Sequence, residues 1–159
     1  MRFSKIFNLI MSASSVYARY MTRLTQPTIS LYSPSGRHLK ISESGRVSST
    51  PYVGHPLAAL KLVVVADNEF YIQGVWTGRY IAEAGRGRLQ AVMEQSRATR
   101  FSEAHLENFF NEYHLTRDEK CSLSIRKRGA VRVECHNKSV DTHLLPRRTH
   151  KRMEKVYNY

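Results

Sequence analysis

Gly36-Arg37-His38-Leu39-Lys40-Ile41-Ser42-Glu43-Ser44-Gly45-Arg46-Val47 is answered, 42 residues on, by Gly78-Arg79-Tyr80-Ile81 and Gly87-Arg88-Leu89. The end of the pattern returns a third time, more faintly, as Gly129-Ala130-Val131, and Leu39 and Ile81 continue to Leu123 at the same spacing. A fixed period of this kind marks a repeat architecture. Three such units fill roughly residues 27–152. Within them the local period is two. Leu39 and Ile41 flank Lys40, Leu123 and Ile125 alternate with Ser122 and Ser124, and Val131 and Val133 flank Arg132. That alternation predicts half-buried strands. The apolar run Leu60 to Ala66 predicts a well-buried strand. Glycines fall between strand candidates, where turns use positive φ. The segment from Phe101 to Tyr113 has a helix-like spacing of apolar residues but reads equally as loop and strand. A propeller needs at least four blades, so the length and period predict an all-β fold, a β-trefoil with a pseudo-threefold repeat.

The 159 residues suffice for one domain with its own core, and 42% hydrophobic residues suit a globular chain. The formal net charge of +12 favours a polyanionic partner: nucleic acid, anionic membrane or sulfated glycan. The N-terminus narrows that choice. Arg2 and Lys5 form a basic lead, residues 6–18 are moderately apolar, and Val16-Tyr17-Ala18 offers small residues at the cleavage positions. This predicts a secretory signal peptide over residues 1–18, an N-terminal lead over 19–29, a trefoil domain over 30–148 and a basic tail over 149–159. No other stretch approaches the ~20 apolar residues that span a bilayer, so membrane insertion is not expected. Cys121 and Cys135 are too few for a disulfide scaffold, and no metal-ligand spacing is present.

Four segments resemble the fibroblast growth factors. Leu31-Tyr32-Ser33-Pro34-Ser35-Gly36-Arg37-His38 resembles their first strand and turn, and Phe70-Tyr71-Ile72-Gln73-Gly74-Val75-Trp76-Thr77-Gly78-Arg79-Tyr80-Ile81 their central glycine-valine stretch. Phe101 to Tyr113 is similar to their Leu-Glu-Asn signature, and Leu144-Leu145-Pro146 to their terminal strand. The opening and the basic tail look most similar to the subgroup of fibroblast growth factors eight, seventeen and eighteen. The resemblance implies a β-trefoil, secretion, heparan sulfate as co-receptor, a receptor tyrosine kinase activated by dimerisation, no catalysis and no cofactor.

The basic residues support the glycan part of that expectation on their own chemistry. Arg126-Lys127-Arg128-Gly129 reads as a hairpin turn, with Arg132 on the next strand and Lys138, Arg147, Arg148, Lys151 and Arg152 beyond. Clustered guanidinium groups pair bidentately with sulfate and carboxylate. In the family, positions matching Arg126, Lys127 and Arg132 grip heparan sulfate. Ser35 stands where many members carry a glycan-contacting asparagine. The loop before the last strand is shortened, and Glu134 and Asp141 within it repel sulfate; Asn137-Lys138-Ser139 is an N-glycosylation sequon. A solvated basic surface and a nuclear localisation cluster at residues 147–152 are the competing readings of the charge. The secretory lead argues against nuclear residence and against nucleic acid as the partner.

With a turn centred on Arg128, Ile125 faces Val131, Leu123 faces Val133 and Cys121 faces Cys135. Opposed strand positions permit a disulfide, and two free thiols are the other reading. The resemblance also carries over receptor-contacting positions: Tyr32, Glu107, Asn111, Tyr113 and Leu145, with Tyr32 and Tyr113 forming an apolar patch. Ordinary strand packing would account for the same tyrosines. The histidines are scattered, and no nucleophile elbow or phosphate-binding loop is present, so no catalytic residues are assigned. Two other functions fit the fold: a glycan-binding trefoil without signalling, and an intracellular homologue that binds other proteins.

Overall fold

The structure is a computed structural model and describes residues 27–136 and 139–149. The predicted leader, Asn137, Lys138, Lys151 and Arg152 lie outside the described residues. Twelve strands occur among those described: β1 (Ile29–Tyr32), β2 (His38–Ile41), β3 (Val47–Thr50), β4 (Leu60–Ala66), β5 (Glu69–Gly74), β6 (Tyr80–Glu83), β7 (Leu89–Val92), β8 (Arg100–His105), β9 (Asn111–Leu115), β10 (Asp118–Ile125), β11 (Val131–Cys135) and β12 (Leu145–Arg148). Every pairing is antiparallel.

Six strands make a barrel. β12 pairs with β1, β1 with β4, β4 with β5, β5 with β8 and β8 with β9. The ring closes through one bridge, Asn111 to Leu144, whose amides and carbonyls exchange two hydrogen bonds of 2.8 Å. The other six strands are the hairpins β2–β3, β6–β7 and β10–β11, which cap one end. The repeat is visible in their turns. Ser42, Ala84 and Arg126, spaced 42 apart, each donate a backbone N–H to the carbonyl four residues on. The fold is a β-trefoil, and the period in the sequence is its threefold pattern.

The hairpins are stitched to one another at equivalent points. Gly45 accepts a hydrogen bond from the Ala91 amide at 2.7 Å, and Gly87 accepts one from the Val133 amide at 2.9 Å. At the third junction the Gly129 carbonyl accepts from the Ser49 hydroxyl at 2.6 Å. A Cβ on Gly45 or Gly87 would lie 2.6 or 2.5 Å from the neighbouring carbonyl oxygen, and both residues have positive φ. Only glycine meets both conditions.

Leu39, Ile81 and Leu123, the co-periodic aliphatics, are completely buried, together with Leu31, Ile41, Leu60, Ile72, Phe101, Ile125 and Leu144. Each buried aliphatic of this size contributes about 1.5–3 kcal/mol relative to exposure. Two expectations need correction. Ser122 and Ser124 do not face solvent: they are buried, with Ser122 Oγ 2.9 Å from His114 Nδ1 and Ser124 Oγ donating to Glu134. β10 is paired along both edges, with β9 and β11, and is buried from Cys121 to Ile125, where the hydroxyl groups survive because each finds a partner. The apolar run of β4 is not a buried strand. Only Leu60 is fully buried and Val64 is largely exposed, because the β4–β5 hairpin runs out past the barrel to an exposed tip at Asp67 and Asn68. The ambiguous segment from Phe101 resolves as β8, a turn and β9.

Candidate functional site

The basic hairpin is built as its register implies. Ile125 pairs with Val131, Leu123 with Val133 and Cys121 with Cys135, and the two cysteines are joined as a disulfide. Arg126, Lys127 and Arg128 are exposed around the turn. Arg126 is not free: its Nε and Nη2 both reach Glu134 Oε1 at 2.7 Å across the hairpin. Glu134 thus neutralises one of the basic residues as well as repelling anions. Arg132 is exposed, and its Nη2 donates to the Arg86 carbonyl at 3.4 Å. Ser35 Oγ bonds Ser33 Oγ at 2.8 Å at the β1–β2 turn. Glycine 129 carries the Arg37 guanidinium directly over its backbone. Arg37 Nε donates to Ser49 Oγ at 2.8 Å, and Ser49 donates onward to Gly129. The first hairpin therefore braces the third.

A second group forms where β12 lies between β1 and β9. Tyr32 pairs with Leu145, and the preceding residue, Leu144, bridges to Asn111. The three predicted positions Tyr32, Asn111 and Leu145 are thereby brought side by side by barrel closure. The Arg147 guanidinium sits 4.3 Å from the Tyr32 ring centroid, a cation–π contact. His38 packs against the other side of that cluster, its ring 5.2 Å from Tyr32 and its Nδ1 2.9 Å from Ser30 Oγ. Burial, helped by the Arg147 charge, lowers the His38 pKa below its ordinary value. Arg147 is exposed and, as the partner of Ser30 in the β1–β12 ladder, is placed over the tyrosine two residues away, so it adjoins the Tyr32 cluster. Arg148 pairs with Ile29 and is exposed.

Glu107 is exposed in the β8–β9 turn, beside Phe109, which is 88% exposed and held at positive φ. Phe110 lies against His143, and Asn108 Nδ2 is 3.1 Å from His143 Nδ1. Asn111 is buried and its Oδ1 is 2.9 Å from His105 Nδ1. Thr142 donates to Glu112 Oε1 at 3.1 Å, fastening the short helix Val140–Thr142 to β9. Asp141 lies in that helix, its amide bonded to the Ser139 side chain.

Tyr113 does not join this surface. It is completely buried, edge-on to Phe70 at 5.8 Å, and burial reinforced by Glu103 holds its phenol well above the usual range. On β9 the alternation of inward and outward positions puts Asn111, Tyr113 and Leu115 all inward, so the expected Tyr32–Tyr113 surface patch does not exist. Phe109, Phe110 and His143 were not singled out in the sequence; the Phe109–Phe110 doublet beside Glu107 was the available signal. Arg37 and Arg46 recur 42 residues on as Arg79 and Arg88. Among the described residues no group of three or more His, Cys, Asp or Glu side chains is placed to hold a metal, and no helix is long and apolar enough to cross a membrane.

The family model described as fibroblast growth factor matches residues 28–145. The chain is 27% identical over 139 residues to human fibroblast growth factor 5, covering 73% of this chain and 52% of that protein. It is 31% identical over 106 residues to fibroblast growth factor 1 of Cynops pyrrhogaster, covering 65% and 72% respectively. Fibroblast growth factor 3 of Danio rerio is 31% identical over 83 residues, covering 52% and 32%. The chain spans about half the length of the fibroblast growth factor 5 relatives it matches. These similarities support the family and not the finer resemblance to members eight, seventeen and eighteen.

Proposed function

The chain belongs to the fibroblast growth factor family, whose members are signalling proteins rather than enzymes and need no cofactor, and we propose that it acts as a secreted growth factor bridging heparan sulfate and a receptor tyrosine kinase ectodomain. The observation that carries this reading is the barrel closure that sets Tyr32 and Leu145 beside one another over the buried Asn111, with Glu107, Phe109 and Phe110 on the adjoining turn. Aromatic and arginine side chains supply most of the energy of protein interfaces. Tyr32 under Arg147 presents both kinds together. The exposed Arg126–Arg132 hairpin supplies the complementary surface, where sulfate groups displace counterions and the affinity falls steeply with salt. One chain would hold glycan on the hairpin and receptor on the Tyr32 face, and two such assemblies on one polysaccharide would dimerise the receptor. The shortened loop leaves Lys138, with Arg148, Lys151 and Arg152, as peripheral glycan contacts, and a glycan on Asn137 would narrow access from that side.

The test is binding to a panel of fibroblast growth factor receptor ectodomains, with and without heparin, for the protein and its Tyr32→Ala and Leu145→Ala variants. Tyr32 is the right probe because Tyr113→Ala would open a core cavity. Heparin-enhanced binding that weakens at least about tenfold in Tyr32→Ala is expected for an interface anchor. Heparin binding with no receptor engaged would overturn the signalling reading and leave a glycan-binding trefoil.

A further inference from the structure

β4 is fully paired on one side only. It pairs with β5 along its length, but with β1 only where Leu60 meets Ile29. The direction of its backbone groups follows from the neighbouring ladder. The Thr28 carbonyl points to β12, where the Thr149 amide meets it at 3.0 Å. Successive residues of an extended strand turn their amides and carbonyls to opposite sides, so Pro27 and Ile29 point to β4. Proline has no N–H to donate, and among the described residues no backbone hydrogen bond joins Pro27 to Leu62. The β1–β4 ladder therefore stops at Ile29. On β4 the same alternation turns the amides and carbonyls of Leu62 and Val64 outward, away from β5. Proteins guard such edges with lysines, prolines and bulges. Here the guards are Lys61 and a bulge beyond Val64, and both lie outside the Leu62–Val64 stretch. Val64 is 55% exposed. An open edge of apolar, β-branched residues is a template for another strand.

We propose that this edge pairs with β4 of a second copy of the chain, antiparallel and about a twofold axis at Val63. The backbone argues for that occupant. Pairing about Val63 sets Leu62 of each copy opposite Val64 of the other, so every outward N–H meets an outward C=O. The exposed Val64 side chain then lies beside Leu62 of the second copy, at the spacing where apolar pairs stabilise a sheet. Lys61, the one charged residue of β4, comes opposite Val65 of the second copy, so like charges do not face each other. Both copies use the same edge, so the pair closes and cannot grow. The contact has fewer residues than the roughly 20–30 a side of a standard interface, and a weak dimer with a Kd of about 0.1 mM is expected. The proposal is independent of the glycan and receptor readings above.

The test is sedimentation equilibrium of the full chain, without heparin or receptor, from about 5 μM to about 1 mM. A shift from monomer to dimer is expected. Each copy carries a formal net charge of +12, so screening should tighten the dimer between about 0.05 and about 0.5 M salt. Val64→Lys places a charge on the open edge at an exposed position and should weaken association at least about tenfold. Val53→Lys adds the same charge at a position that is 80% exposed and outside the strands, and should stay within about twofold. A chain that remains monomeric throughout overturns the proposal. So do equal effects of the two variants, growth beyond a dimer, or association that weakens with salt. Hydrogen exchange of fragments covering β4 places the contact. The Leu62 and Val64 amides should exchange fast at about 5 μM and slowly at about 1 mM. Slow exchange already at the lower concentration would mean that the edge is covered within one chain, and fast exchange in the dimer would mean that the copies meet elsewhere. Either result overturns the pairing.

Discussion

Replacing Gly87 by alanine sets a methyl group 2.5 Å from the Val133 carbonyl oxygen on a backbone with φ of 74°. Gly36 has a similar φ of 84° but open space around it. The pair separates two costs that usually arrive together. Gly36→Ala should lose about 1 kcal/mol, the left-handed penalty alone. Gly87→Ala should lose about 3 kcal/mol, because a clash with backbone is added and the junction hydrogen bond to Val133 is strained. Urea denaturation should rank the two in that order, and equal losses would show that the junction yields. His38 gives a pH dependence whose sign is fixed. Its folded pKa lies below the ordinary 6.5 because the ring is buried and Arg147 is near. As pH falls through 6.5, the unfolded chain takes up a proton that the folded chain does not. Stability should therefore decline below that pH and level off once the folded ring is also protonated. His55, lowered mainly by burial and then by Lys40, acts in the same direction. Denaturation midpoints at pH 7.5 and 5.5 measure the slope, and a His38→Asn variant should flatten it.

At the level of elements, the β10–β11 hairpin was the most legible part of the chain. Its apolar alternation and its Arg-Lys-Arg-Gly turn each fix the same register, and the cysteine pairing follows from that register. The disulfide closes a short loop, with a sequence separation of 14. Removing it by Cys121→Ala with Cys135→Ala should cost about 3 kcal/mol in the chain-entropy model. The loss should be read as a lower denaturation midpoint, with the hairpin amides exchanging faster than those of the barrel. An unchanged midpoint would mean that the cross-link adds nothing to what the β10–β11 ladder already holds. The β4 strand was less legible, since an apolar run says that a segment is a strand but not where the barrel beneath it ends. The segment from Phe101 to Tyr113 defeated periodicity for a related reason. Phe101 and Tyr113 point into the core and Phe109 points out of it, so the aromatic spacing records two environments and no single face.

The architecture of the whole molecule was legible from a period of 42 and three buried aliphatics, because repetition survives the loss of any one motif residue. The functional surface was only half legible. Tyr32, Asn111 and Leu145 meet because the barrel closes, and the closing contact joins residues 111 and 144, which no local pattern connects. The depth of Tyr113 depends on its packing against Phe70, two strands away, and the position of Arg147 over Tyr32 on the β1–β12 ladder, and neither is visible in local sequence. That ladder has a last rung. The Thr149 amide and hydroxyl both donate to the Thr28 carbonyl, at 3.0 and 3.2 Å. The two ends of the described region therefore lie at one spot, and the trefoil is topologically a ring cut at one place. A circular permutant should tolerate the cut being moved. Joining residue 149 to residue 28 through a short glycine linker and opening the chain at the exposed Asp67–Asn68 tip should return the same circular dichroism spectrum and cooperative melting. Loss of folding would mean that assembly depends on the order in which the three units are made, and not only on the ring they complete.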